Sequence, residues 1–217
     1  MKKVALIVAG GKGKRMGAEI PKQFLKINTL PILMHTINCF SHFEKIVLVL
    51  PEKHLDYWND LCKTHHFDQK IIVVEGGENR FQSVKNGLTK INESSIVFIH
   101  DGVRPLISNS LIRSLESKIK KGVGIVPVIP IKSSIREIKN DDSKSVNREH
   151  LFFVQTPQCF LIDDIKTAYD QEFEKSFTDD ASVFENNGGK ILCVVGEEKN
   201  LKITTKLDLK IASFFMQ

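Results

Sequence analysis

Tryptophan occurs once and tyrosine twice in the 217 residues, too few to stack successive bases along a nucleic-acid groove. Cations are also missing from most of the chain. Of the formal net charge of +5, residues 1–30 hold seven Lys or Arg against Glu19 alone, a balance of +6 that leaves −1 for the rest. A DNA or RNA surface needs basic side chains spread along one face, so no nucleic-acid partner is expected. Cysteine is scarce as well. Cys39, Cys62, Cys159 and Cys193 form no C-x-x-C pair and have no His at ligand spacing, which argues against a zinc site. Free thiols of this kind fit a reducing cytoplasm. No apolar run approaches the roughly 20 residues of a membrane span. The opening run at 4–9 is shorter than the usual h-region of about seven to fifteen residues and reads as a buried strand.

What is present is 41% hydrophobic residues, enough to bury one core without disulfides or metals, so residues 1–217 are expected to form one domain. Apolar runs recur at 4–9, 45–50, 70–75, 95–100, 124–130 and 190–195. They are continuous rather than alternating, the pattern of strands covered on both faces. Helical stripes lie between them: Phe81, Val84, Leu88 and Ile91 in one segment, Leu111, Leu115 and Ile119 in another. This alternation predicts an α/β fold, a mostly parallel, Rossmann-like sheet flanked by helices. The polar stretch 132–155, with a turn-like NDDS at 140–143, breaks the rhythm and predicts a projecting β-hairpin arm. Further on, Thr178 is expected to cap a helix with Asp179 and Asp180 in its first turn. Thr205 is expected to cap the closing helix, which carries an apolar stripe through Leu207, Ile211 and Phe214.

The first strand runs into VAGGKGKRMG at 8–17. A phosphate cradle, a charged flexible turn and a basic nucleic-acid tip all fit a loop so rich in glycine and cation. A Walker A loop needs Ser or Thr after Gly-Lys, but Arg15 follows Lys14. A Rossmann fingerprint starting at Gly11 needs glycine where Met16 stands, and an acidic residue near position 30 that is absent. The loop does match a G-G-x-G-x-R-M signature followed by Pro21-Lys22, and in this it resembles nucleotidyltransferases that join a nucleoside triphosphate to a sugar or polyol phosphate. The strings GGENRFQSVKNGL (76–88), HDGVRPLI (100–107), QTPQCF (155–160), FTDDAS (177–182) and NLKITT (200–205) follow in order. Together they resemble the 2-C-methyl-D-erythritol 4-phosphate cytidylyltransferases over nearly the whole chain.

The resemblance implies transfer of CMP from CTP to methylerythritol phosphate, in the non-mevalonate isoprenoid pathway, by a cytoplasmic homodimer with 132–155 as its dimerisation arm. It implies Arg15, Lys22 and Lys202 as catalytic cations, and Ala9, Gly10, Gly11, Gly13, Gly77, Glu78, Ser83 and Asp101 around CTP. Ser134, Arg148, Thr156 and Lys202 would hold the acceptor, and Arg80 and Arg104 would order their turns. Mg²⁺ is the implied cofactor, bound mainly through CTP phosphates near Asp101, with no certain protein ligand. Taken alone, Asp101 is equally a strand-end cap, Arg148 a solvated hairpin charge and Lys202 a surface lysine. One departure stands out. Where the family usually carries Asp-Thr after the fifth strand, this chain has Ser133-Ser134, which keeps ribitol 5-phosphate open as an alternative acceptor. A non-catalytic nucleotide-sensing module is the rival of a different class, and cations on both sides of the α-phosphate argue against it.

Overall fold

The computed structural model describes residues 1–11 and 20–217. In chain order the elements are β1 (Lys2–Val8), the small ribbon β2 (Lys26–Ile27) and β3 (Leu30–Pro31), α1 (Ile32–Asn38), β4 (Lys45–Leu50), α2 (Leu55–Thr64) and β5 (Ile71–Glu75). There follow α3 (Arg80–Leu88), β6 (Ser95–Asp101), α4 (Asn109–Glu116), β7 (Val123–Pro130), β8 (Ile135–Lys139), β9 (Asp142–Val146) and β10 (Phe152–Val154). The last are β11 (Gln158–Leu161), α5 (Ile162–Ala168), α6 (Asp180–Asn186), β12 (Lys190–Val195) and α7 (Lys206–Phe215).

Strands β5, β4, β1 and β6 run parallel side by side, and β11 inserts antiparallel between β6 and β7. Beyond it, β7 pairs in parallel with β12 along one edge, while the other edge of its last three residues takes β10 antiparallel. The expected mostly parallel sheet is therefore observed, with two antiparallel insertions. Because β1 has β4 on one side and β6 on the other, the strand order reverses at β1, and an open α/β sheet leaves a crevice outside the strand ends at such a point. Register adds precision: Val8 at the end of β1 lies beside Asp101 at the end of β6.

The core forms on both faces of the central strands. Val4, Ala5, Leu6 and Ile7 of β1 are fully buried, as are Val97, Phe98 and Ile99 of β6. The stripe of Phe81, Val84 and Leu88 on α3 packs inward with Ile91 beyond it. Here α3 rides close to the sheet at Gly87, where an added Cβ would meet Leu6 Cδ1 at 2.4 Å and Val49 Cγ2 at 2.8 Å.

Several local expectations need correction. The outer strands are not covered on both faces: Ile72 and Val73 on β5 and Leu192 and Val195 on β12 are exposed, because an edge position gives one flank to solvent. The arm is shorter than 132–155. Its hairpin is β8 with β9, turning at Asn140 with φ 53°, whereas β10 has already rejoined the main sheet through Phe152–Val154. Asp179, not Thr178, is the cap of α6, in a capping box with Ser182. The α7 cap is Thr205, as expected, paired with Asp208. The stripe of Leu207, Ile211 and Phe214 faces outward. Small Ala212 sits fully buried against the chain, with Leu209 and Met216 packed beside it on Ile27, Ile32 and Ile203. The cap and the close approach at Ala212 decide which face turns in.

Gly87→Ala is expected to destabilise the protein by about 1–3 kcal/mol, the range for overpacking a filled core. Urea unfolding measures it, and an unchanged midpoint would contradict the tight α3 contact.

Candidate active site

Outside the ends of β1, β4 and β6 lies a cavity of about 360 Å³. Its near wall is the backbone of Ala9, Gly10 and Gly11. The Ala9 amide donates to Val49 O (3.0 Å) and its carbonyl accepts from Gln23 Nε2 (2.9 Å). A Cβ added at Gly10 would meet no described atom within 4 Å, and one at Gly11 only Lys22 Cε at 3.4 Å, so packing among the described residues does not require glycine at either position. Across from it the turn at 77–79 enters α3. Gly77 N donates to Ser83 Oγ (3.1 Å), Ser83 Oγ donates to Asn79 O (2.8 Å), and the Asn79 side chain caps the helix on Gln82 N (2.8 Å). A side chain at Gly77 would overlap Gln82 Cγ at 2.1 Å. Arg80, also on the cavity wall, is held bidentately by the fully buried Asp180 (2.7 and 2.6 Å), which accepts from Tyr169 Oη as well (2.6 Å).

The floor is charged. Asp101 Oδ2 meets Arg104 Nε at 3.1 Å and Lys202 Nζ at 3.0 Å. Among the described residues its Oδ1 takes no hydrogen bond. Burial works to raise this carboxyl, but Lys202, Arg80 and Arg104 outweigh it and hold it well below the usual carboxylate range. Lys22, nearly buried, donates from Nζ to Ile203 O (3.1 Å). Beneath the floor, His100 is fully buried, with Nδ1 3.0 Å from Thr156 Oγ1 and Nε2 3.0 Å from Arg104 O.

Ten of the residues singled out from the sequence line this one cavity: Ala9, Gly10, Gly11, Lys22, Gly77, Glu78, Arg80, Ser83, Asp101 and Lys202. Gly13 and Arg15 lie outside the described residues. Thr156 is buried beneath the floor and does not line the cavity. Ser134 and Arg148 do not line it either; both are exposed at the arm, where Arg148 Nη1 donates to Lys132 O. Sequence reasoning passed over Gln23, Asp180 and Asn200, which anchor the walls. Each sits inside or beside a quoted motif, yet nothing in a string shows that Arg80 will meet a partner one hundred residues away.

The family model described as IspD: 2-C-methyl-D-erythritol 4-phosphate cytidylyltransferase matches residues 3–217. Among relatives, the 2-C-methyl-D-erythritol 4-phosphate cytidylyltransferase of Bacteroides fragilis is 49% identical, covering 98% of this chain and 99% of the relative. That of Bacteroides thetaiotaomicron is 44% identical over 98% and 99%. Among solved structures, the Francisella tularensis protein of that name superposes with a TM-score of 0.82 at 30% identity, covering 99% of both chains.

Burial pushes the His100 imidazole down to about 4 from 6.5. The unfolded chain therefore takes up a proton near pH 6.5 that the folded chain refuses until about pH 4. This contribution to stability is complete above pH 6.5 and is lost as pH falls towards 4, with a slope of at most about 1.4 kcal/mol per pH unit. Urea midpoints of wild type and His100→Phe are expected to converge on acidification through that window. Parallel curves would contradict a buried neutral imidazole.

Proposed function

Because the chain belongs to the 2-C-methyl-D-erythritol 4-phosphate cytidylyltransferase family, we propose that it transfers CMP from CTP to 2-C-methyl-D-erythritol 4-phosphate, releasing pyrophosphate. The observation that carries this reading is one cavity with a glycine-lined wall, an amide-rich turn opposite, and lysines from two distant segments. A phosphate oxygen of the acceptor attacks the α-phosphorus of CTP; the new P–O bond forms as the bond to pyrophosphate breaks. The acceptor phosphate has a second pKa of about 6 and is already ionised near neutral pH, so no general base is needed. Catalysis then consists of bringing two polyanions into line and neutralising the charge that builds up. Lys22 is assigned to the donor side and Lys202 to the acceptor phosphate. Arg15, in the family signature, joins Lys22 in this reading.

Cytosine selection follows from a proton count at Ser83. Its hydroxyl proton is committed to Asn79 O, so towards the cavity Oγ acts as an acceptor only. That suits the exocyclic amine of cytosine and opposes the O4 carbonyl of uracil. Mg²⁺ fits the floor in one way. Asp101 would offer Oδ1, and with no group of three metal-ligating side chains among the described residues, nucleotide phosphate oxygens would supply most of its coordination. When bound, the ion neutralises triphosphate charge. No helix among the described residues is long and apolar enough to cross a membrane, in keeping with a cytoplasmic setting.

The test offers each of the four nucleoside triphosphates with methylerythritol phosphate or ribitol 5-phosphate and follows pyrophosphate release. CTP with methylerythritol phosphate is expected to dominate. Equal use of UTP would remove Ser83 from the base site, and preference for ribitol phosphate would transfer the acceptor assignment to the Ser133 variant of the site. In the same assay Lys22→Ala is expected to lower kcat by roughly 10²-fold or more.

We also infer a homodimer through the arm. Phe152, Phe153, Val154 and Val195 make an exposed apolar surface beside it, of the kind that marks an interface. Arg148 and Ser134 stand away from their own cavity, which suits service to a partner's. If each site combines Lys22 of one chain with Arg148 of the other, randomly re-paired Lys22→Ala and Arg148→Ala subunits recover about a quarter of wild-type activity, since half the dimers are mixed and each holds one intact site. No recovery despite confirmed exchange of tagged chains would rule out the shared site.

A further inference from the structure

We propose that His100 and Thr156 act as a positioning pair that sets the Asp101 carboxylate and, through it, the Lys202 amine for the acceptor half of the reaction, without touching either substrate. The inference rests on the cytidylyl-transfer reading; it adds His100 to it and gives Thr156, expected from the sequence to hold the acceptor, a task below the cavity.

Donor and acceptor accounting fixes the direction of every bond. Asp101 N–H donates to Thr156 Oγ1 (3.0 Å). Thr156 in turn has one proton, and the ring nitrogen facing it is His100 Nδ1 at 3.0 Å. The other ring nitrogen faces Arg104 O, which can only accept, at 3.0 Å. His100 Nε2 must therefore carry the ring proton, and Nδ1 must accept from Thr156. The chain runs one way from Asp101 N–H through Thr156 and His100 to Arg104 O. Arg104 Nε then returns to Asp101 Oδ2 (3.1 Å), closing a loop that starts on the backbone of Asp101 and ends on its carboxylate.

A branch ties in the segment that bears Lys202. Arg104 Nη1 donates to Asn200 O (2.8 Å), and Asn200 Nδ2 donates to Thr156 O (2.8 Å). One bond holds the carbonyl and the other the side chain of Asn200, two residues before Lys202, whose Nζ lies 3.0 Å from Asp101 Oδ2. Three segments far apart in sequence thus meet around Arg104 and Thr156. His100 is shielded from solvent and packs edgewise on Phe40, with centroids 5.1 Å apart, so water has no access to replace a lost bond. Aromatic substitution preserves this packing while deleting both hydrogen bonds. The nucleotide side is anchored independently, by Val49 and Gln23 on Ala9 and by Asn79 on Ser83. Loss of the pair should therefore divide the two substrates.

The experiment compares wild type with His100→Phe, Thr156→Val, Thr156→Ser and the His100→Phe/Thr156→Val double variant. The kcat/KM for acceptor at saturating CTP is expected to fall 10- to 100-fold in both His100→Phe and Thr156→Val. The Kd of CTP, measured calorimetrically in EDTA, stays within twofold. Serine, which keeps the hydroxyl, loses less than valine. The double variant falls no further than the worse single one, because both break the same loop. Nitrogen NMR supplies a readout that does not depend on turnover: the Lys202 amine signal is expected to shift in both single variants, and the wild-type His100 ring to show the neutral Nε2–H form. The idea is overturned if acceptor kcat/KM per folded molecule is unchanged while only Tm drops, if CTP affinity collapses in parallel, if the two losses add, or if the Lys202 signal does not move. Should His100→Phe fail to fold, Thr156→Val alone decides by the same measures. Wild-type turnover of CTP with methylerythritol phosphate tests the underlying reading separately; if it is absent, the Lys202 and His100 signals still judge the pair.

Discussion

A single buried carboxylate, Asp101, holds the site's charges in place. Arg104 and Lys202 share its Oδ2, and Arg80 acts on it through space. Two cations about 4 Å apart repel by roughly 4 kcal/mol at the effective dielectric of a protein surface, so such a cluster cannot be kept empty without an internal anion. Burial opposes the ionised form, yet the surrounding cations prevail. The carboxylate thus makes a cluster of cations compatible with the folded chain.

That carboxylate stands where it does because of the sheet. All seven residues of β6 are buried, which makes its carboxyl end a fixed platform, and pairing with β1 sets Asp101 beside Val8 and hence beside the glycine wall. Insertion of β11 next to β6, with Gln158 opposite Ile99, brings Thr156 within reach of the Asp101 amide. An entirely parallel arrangement would have put a crossover helix between these segments. The antiparallel strand therefore does more than extend the sheet: it delivers the connector at 155–157 to the underside of the active-site floor.

Much of this was legible from strings and periods. Continuous apolar runs locate the central strands, the α3 stripe packs inward as its spacing implies, and the loop signature and ordered motifs name ten residues that share one cavity. What sequence cannot display is pairing at a distance. Arg80 with Asp180 and Asn200 with Thr156 are both contacts across many residues, and each decides geometry that a motif only hints at. Orientation was also hidden on α7, where the larger side chains advertise a stripe and small Ala212 determines the buried face. The cap of α6 moved by one residue for a related reason: Asp179 is engaged by Gln158 Nε2 as well as by Ser182 N, a tertiary partner that favours it over Thr178. The resemblance gives Thr156 to the acceptor, whereas its hydroxyl is engaged below the floor by the Asp101 amide and His100.

The cations divide their work by chemistry. Arg80 and Arg104 use the fixed fork of the guanidinium to hold protein acceptors at two points, both oxygens of Asp180 for Arg80 and the Asp101 carboxylate with the Asn200 carbonyl for Arg104, and a group held at more than one point is poorly suited to follow a moving phosphate. Lys22 and Lys202 carry compact charges on flexible stems, and their contacts include the Ile203 carbonyl for Lys22 and the shared carboxylate for Lys202. Exchange of such a contact for a phosphate oxygen requires rotation of a side chain, not movement of backbone. The arginines thus fix the architecture, and under the proposed function the lysines are the cations that follow the changing charge of the transfer.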